Sequence, residues 1–371
     1  MYVHNHSKYL LYLQNAHMAK KVRISDIAKI AGVSAGTVDR VVHGRGNVSA
    51  ESRQAVEAAL KQTGYTPNLH VSSIAVKKSY QIAVVIPQTA PGEYWAQIKE
   101  GLEKGFDTFS DFDINHRFFH YDQFDINSCA EAFKAVMDWN PSAVILGPTF
   151  SDETLVFTAS LDEALIPYVY VDSVVENTYP VASYCVHQQS CGHLIAKLIC
   201  QITPSDSEYV IFQAERKGNA SANNTILRKN GFRKYFEERG ESGKIRLLIF
   251  SATDKKANEK RFKEFFTLNP KVKGAVVLSS RGSLVAECLD ACGIKDMRLV
   301  CLDNTQSNIE SLQNGHIDYI ICQRPVNQGY LAVRSAIMHL LYAAVQTDTV
   351  HMPLDIITKE NIEFYKELLN I

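Results

Sequence analysis

Two hydrophobic periodicities divide the chain. Between Ile24 and Leu60, apolar residues return every three or four positions in short runs, which predicts amphipathic helices. The first run places Ile27, Ala28, Ile30 and Ala31 inward, with Ser25 as its N-cap; the second places Val38, Val41 and Val42 inward, with Ser34 as its cap. Gly32 separates them, because glycine accepts the positive φ of a tight turn. A third run is capped by Ser49, stapled by Val48 and faces Val56, Ala59 and Leu60 inward, until Gly64 and Pro67 stop it. None of the three is long enough to persist alone, so they are expected to share one core.

From Gln81 the pattern changes. Short apolar runs such as "QIAVVIP", "SAVILGP", "PYVYVDS", "EYVIFQA", "GAVVLS", "MRLVCLD" and "IDYIICQ" alternate with helical runs such as "YWAQIKEGLEKGFDTF" and "SCAEAFKAVMDW". Repeated βα units predict an α/β body of parallel, doubly wound sheets. The strands are too many for one comfortable sheet, so two lobes with a cleft between them are expected. The organisation predicted is an N-terminal extension over 1–21, a three-helix head over 22–68, a linker over 69–79 and a two-lobed body over 80–371.

Length and charge sharpen this picture. A chain of 371 residues exceeds one ordinary core. The net charge of −1 excludes a uniformly basic protein. Yet Met18 to Asn68 holds Lys20, Lys21, Arg23, Lys29, Arg40, Arg45, Arg53 and Lys61 against only Asp26, Asp39, Glu51 and Glu57. A basic head on an acidic body is the asymmetry of a chain that meets a polyanion at one end. No apolar run reaches the roughly 18 residues of a membrane span, so no membrane partner is expected. The eight cysteines form no CxxC pair and no secretory leader is recognisable, so free thiols in a reducing cytoplasm are expected. Residues 1–17 read as an extension, with Met18 as a second candidate start. His187, Cys191 and His193 lack a fourth ligand at convincing spacing, so neither a metal nor another cofactor is expected.

The spacing of Ala28, Gly32, Val38 and Val41 is that of a helix-turn-helix, whose second helix keeps a polar face for a major groove. The whole stretch "VRISDIAKIAGVSAGTVDRVVHGRGNVSAESRQAVEAALKQTGYTPN" resembles the DNA-binding head of the LacI/GalR (lactose-repressor) family. The resemblance implies that Ala35, Gly36, Asp39, Arg40 and His43 face bases, and that Ser34 and Thr37 hold phosphate. Ala35 and Gly36 offer little side-chain readout, and Asp39 stands where the family has serine. Asp39 can accept from a cytosine amino group, orient Arg40 for a bidentate contact to guanine, or merely pair with Arg40 or Arg45. In "PNLHVSSIAVKKS", which resembles the family's hinge helix, Ile74 stands at the minor-groove wedge position and Val71 where a small alanine is usual. Both are β-branched, which predicts a weaker hinge helix.

Ligands of doubly wound sheets bind beyond the carboxyl ends of strands. That rule selects Tyr94, Trp95, Thr149, Asp172, Ser279, Ser280, Arg281, Asp303 and Gln323. Rings that stack and planar polar groups that fork onto hydroxyls suit a sugar. The body resembles the periplasmic-binding-protein type I-like effector domain of the same family, which implies ligand contacts at Asp172, Arg228, Asp303 and Gln323. Ser279 replaces a common asparagine, and "VHQQS" replaces an acid–asparagine pair. No GxSxG, P-loop, GxGxxG or HExxH motif is present, which argues against an enzyme. The expectation is a cytoplasmic, homodimeric transcription regulator, most commonly a repressor in this family. Operator DNA and a small carbohydrate or sugar-acid effector would be its partners. The alternative is an exported or cytoplasmic sugar-binding protein without a DNA-binding role.

Overall fold

The three short runs form helices α1 (Ile24–Ala31), α2 (Ala35–Val42) and α3 (Ala50–Thr63) in a computed structural model that describes residues 24–42, 48–63, 79–215, 223–344 and 349–365. Ile27, Val38 and Val56 are fully enclosed at their centre, with Ala28 and Ala59 beside them. Burying each branched side chain contributes about 1.5–3 kcal/mol, which no single helix of this length supplies. Gly32 takes φ +66° between α1 and α2. The Ser34 hydroxyl accepts the Thr37 N–H at 3.1 Å, and the Ser49 hydroxyl accepts the Ser52 N–H at 3.3 Å. Two expectations are corrected. Ser25 lies inside the first turn of α1 rather than at its cap, because the helix already begins at Ile24. Ile30 is exposed: at 3.6 residues per turn it falls about 100° from the centre of the stripe formed by Ile27, Ala28 and Ala31.

The chain divides into two units, 1–77 and 78–371. In the second, β1 (Tyr80–Pro87), α4 (Tyr94–Thr108), β2 (Ile114–Tyr121), α5 (Ile126–Trp139), β3 (Ala143–Leu146), α6 (Ser151–Glu163), β4 (Tyr168–Asp172) and β5 (Ala182–Cys185) build a first lobe. A second lobe follows with α7 (Gln188–Gln201), β6 (Glu208–Ala214), α8 (Asn223–Glu237), β7 (Ile245–Phe250), α9 (Lys255–Leu268), β8 (Val272–Val277), α10 (Gly282–Ala291), β9 (Arg298–Leu302), α11 (Gln306–Gln313) and β10 (Tyr319–Cys322). The chain then returns as α12 (Pro325–Tyr342) and β11 (Thr349–His351) to the first lobe, and as β12 (Asp355–Ile357) to the second.

The sheets run β11-β5-β4-β3-β1-β2 and β12-β10-β9-β8-β6-β7. All described pairings are parallel except β10 with β12. The second lobe thus repeats the strand order of the first, and β4 is the counterpart of β9. Their central strands are buried on both faces, as helices on either side require. The lobes are joined by three crossings, after β5, after β10 and between β11 and β12. At the second crossing Arg324 forks onto Asp355 at 2.8 and 2.9 Å, and the Tyr365 hydroxyl donates to the same carboxylate.

One close approach bears on the site. Where α7 crosses α8, a Cβ on Gly192 would sit on the Arg228 carbonyl and one on Gly231 on the Gln189 carbonyl. Only glycine allows this spacing, and it fixes the backbone that carries Arg228.

Candidate functional site

Asp172 ends β4 and Asp303 directly follows the equivalent strand β9, and both adopt left-handed backbone, with φ +69° and +68°. Aspartate tolerates this region better than most residues, and here it turns each carboxylate inward from its own lobe. Tyr94, Trp95, Thr149, Asp172, Arg228, Ser279, Arg281, Asp303 and Gln323 all line one cavity of about 220 Å³, together with Ser280. An apolar cavity of about 150 Å³ accepts benzene, so this one admits a single six-membered ring with its substituents. The lobes meet around it. Asn224 Nδ2 donates to Asp172 Oδ2 at 2.5 Å, Gln97 Nε2 to the Asn304 carbonyl at 3.1 Å, and the Gln306 N–H to the Gly92 carbonyl at 3.3 Å. The Arg281 guanidinium lies 5.0 Å from the centre of the Phe124 ring.

Below the cavity a hydrogen-bond circuit spans the first two crossings. Arg228 donates through Nε to Gln188 Oε1 at 2.6 Å, through Nη1 to the Leu278 carbonyl at 3.1 Å and through Nη2 to Gln323 Oε1 at 2.8 Å. Gln323 Nε2 donates to Asp303 Oδ1 at 2.7 Å, and Gln188 Nε2 to the Asp172 carbonyl at 3.0 Å. Gln328 closes the circuit, accepting the Asp172 N–H at 2.9 Å and donating to the Gln323 carbonyl at 2.8 Å. Each glutamine thus uses both ends of its amide, as a buried amide must.

Charge in the site is unevenly matched. Burial pushes the Asp303 carboxyl up to about 7, with Asp172 adding to the rise and Arg228 and the Gln323 bond opposing it. Asp172 is raised for the same first reason, against Arg228 and the bonds from Tyr94 and Asn224. The Tyr94 hydroxyl donates to Asp172 Oδ1 at 2.7 Å; burial, with Asp172 and Asp303 nearby, holds its pKa well above the ordinary value. An arrangement of deep acceptors, an anchored guanidinium and the edge-to-face pair of Tyr94 and Trp95 at 5.5 Å can grip the hydroxyls and the apolar face of a small ring.

Several residues of the cavity escaped the sequence reading. Asn224 lies one helical turn before Arg228 on α8, so i, i−4 spacing was the available signal. Phe124 follows β2, where the strand-end rule would have selected it. Outside the cavity lining, Gln188 was noted only within "VHQQS", and Gln328, in the first turn of α12, was not singled out.

In the head, Ala35, Gly36 and Arg40 are exposed on α2, while Thr37 and Asp39 are half-buried. The Ser34 and Thr37 hydroxyls lie 2.9 Å apart. His43, Arg45, Val71 and Ile74 lie outside the described residues. His187 caps α7 by accepting the Ser190 N–H, Cys191 is enclosed in the core, and His193 pairs with Glu238 at 3.2 Å. Among the described residues no helix is long and apolar enough to cross a membrane.

Residues 82–343 match the periplasmic binding protein domain family, and residues 23–68 match the lacI family of bacterial regulatory proteins. Catabolite control protein A of Staphylococcus aureus is 40% identical over 82 residues, 22% of this chain and 25% of that protein. The chain spans about a quarter of the length of the curated relatives it matches. A LacI-type transcriptional regulator from Bacteroides fragilis, known as a crystal structure, is 30% identical, with a TM-score of 0.73 over 78% of this chain and 100% of the other. A glucose-galactose binding protein from Geobacillus stearothermophilus shares the fold at 17% identity and a TM-score of 0.67, over 77% and 99% of the two chains. With a helix-turn-helix of this spacing and a two-lobed body of this topology in one chain, the protein belongs to the LacI family of bacterial regulatory proteins.

Proposed function

We propose that this chain is a ligand-responsive transcription regulator, not an enzyme, which works as a cytoplasmic homodimer. The head over 22–68 reads operator DNA through α2, the linker over 69–79 transmits, and the body over 80–371 dimerises and senses a small polyhydroxylated effector. Residues 1–21 precede this machinery. Arg40, with Asp39 and His43, carries the base readout; Ser34 and Thr37 hold phosphate near Ala35 and Gly36, and Ile74 wedges the minor groove. Asp172, Arg228, Asp303 and Gln323 grip the effector, with Tyr94, Trp95, Thr149, Ser279 and Arg281 around it.

The carrying observation is the cavity itself. Strand ends from both lobes converge on a space sized for one ring, enclosed by contacts from each lobe to the other. A ligand there bridges the lobes and so favours their closed arrangement. The match of residues 23–68 to the lacI family of bacterial regulatory proteins supports extending the reading to DNA.

Selection of genomic fragments by the purified chain at moderate salt tests this. The expected product is a motif of two related half-sites, their centres about one helical turn apart. Its enrichment should disappear with Arg40→Ala while ligand binding by the body stays unchanged. Failure to enrich any motif, alone or with a monosaccharide panel added, would overturn the reading.

A further inference from the structure

We infer that the ligand of this cavity is a monosaccharide that carries a carboxylate, with Arg281 as the residue that receives that carboxylate. The inference rests on the reading of the cavity as an effector site and follows from which polar groups already have partners.

Three of the five Arg228 N–H groups are already taken. Its Nε, Nη1 and Nη2 each donate to a neutral protein oxygen, so the guanidinium is oriented by the circuit below the cavity. The unmatched groups near it are acceptors. Among the described residues, Asn224 Oδ1 is buried without a partner, and the Asp303 carboxylate accepts through Oδ1 alone. A ligand meets these with donors, which sugar hydroxyls supply.

Arg281 presents the opposite need. It stands half-buried in the cavity wall, and burial lowers its pKa from the ordinary arginine value. No described residue accepts a hydrogen bond from it or pairs with it within ion-pair distance; its contact is the flat face of Phe124. The charge that acts on it is Glu93, an exposed residue whose Oε2 already accepts the Ala90 N–H at 3.0 Å. A guanidinium has five N–H donors in a planar fork, and leaving them desolvated and unbonded is unfavourable. A carboxylate fits that fork with two parallel bonds and cancels the charge, whereas a hydroxyl does only part of the first and none of the second. Arg281 stands at the N-cap position of α10, and no side-chain hydrogen bond of its own holds that helix.

Calorimetric titration of the full chain tests this with matched probes: D-galacturonate and D-galactose, D-glucuronate and D-glucose, and D-glucose 6-phosphate. One uronate should bind about tenfold or more tighter than its parent sugar, the scale of a charge-assisted hydrogen bond. In Arg281→Gln that preference should fall to about unity, uronate affinity falling more than parent-sugar affinity, and Arg281→Lys should restore part of it. A parent sugar or the phosphate binding tighter than both uronates would overturn the inference, as would a uronate preference that survives Arg281→Gln. If neither uronate binds, the inference fails whatever else is seen. A neutral sugar bound in that case leaves the effector reading intact, and failure of every probe together with failed operator selection removes it as well.

Discussion

Asp303 concentrates the chemistry of the site in one side chain. Its carboxyl is pushed up to about 7 from an ordinary 3.8, chiefly by burial. The folded chain therefore keeps a proton that the unfolded chain releases, and the stability from this group is full below about pH 4 and is lost as pH rises through about 7. Asp303→Asn imitates the protonated carboxyl and can still accept from Gln323 Nε2. Thermal melts should show the variant more stable than wild type at pH 8, by up to about 4 kcal/mol at 1.36 kcal/mol per unit, and little different at pH 4. Some slope should remain between those limits, because Asp172 is raised too. A wild-type chain whose stability does not fall between pH 5 and 8 would contradict the assignment. Effector binding should be weakened by the same change, since an amide accepts fewer bonds than a carboxylate.

At the scale of elements, α7 and α8 carry the most consequence per residue. Their backbones touch at Gly192 and Gly231, and Arg228 sits on the contact. Gly192→Ala should therefore destabilise the body by about 1–3 kcal/mol and weaken ligand binding, because the clash is with the Arg228 carbonyl rather than with a side chain that can swing away. Gly243→Ala, where a Cβ meets nothing, should stay within about 0.5 kcal/mol. Most elements were legible because they follow local rules. Alternating βα runs, caps at Ser34 and Ser49, and the turn at Gly32 are all written within a few residues. The strand-end rule also gathered Tyr94, Thr149, Asp172, Arg281, Asp303 and Gln323 into one cavity, since it concerns topology rather than contacts. Arg228 came only from the family resemblance, being on a helix. Ser25 and Ile30 were misplaced because a helix that starts one residue early and a stripe only two turns long leave the flank of α1 undefined. The roles of Gln188, noted only within "VHQQS", and of Gln328 could not be read. Their partners, Asp172 and Gln323 among them, are set by how the two lobes close, and an isolated glutamine in a first helical turn otherwise reads as solvated.

Those glutamines matter most for the molecule as a whole. The circuit Asp172–Gln188–Arg228–Gln323–Asp303, closed by Gln328, joins residues of both lobes through two of the three crossings. A ligand that holds Asp172 and Asp303 thereby holds the crossings in one arrangement. If that arrangement also sets operator affinity, the two binding events are linked by a single free energy, and each must change the other by the same factor. Ligand affinity measured with and without operator DNA should therefore shift by the factor seen in operator affinity with and without ligand. Gln328→Met keeps the volume and removes both hydrogen bonds, leaving the Asp172 N–H and the Gln323 carbonyl unmatched. Coupling energies of this kind run to about 1–3 kcal/mol, so a factor of roughly 5–150 in wild type should fall toward unity in both directions together. Affinity for ligand alone should fall less, because Gln328 stands outside the cavity lining. If the variant lost ligand affinity but kept the full coupling factor, the glutamine would be a support for Asp172 rather than a link between lobes. If the two factors disagreed in wild type, the ligand would be acting through something other than one shared equilibrium of this chain.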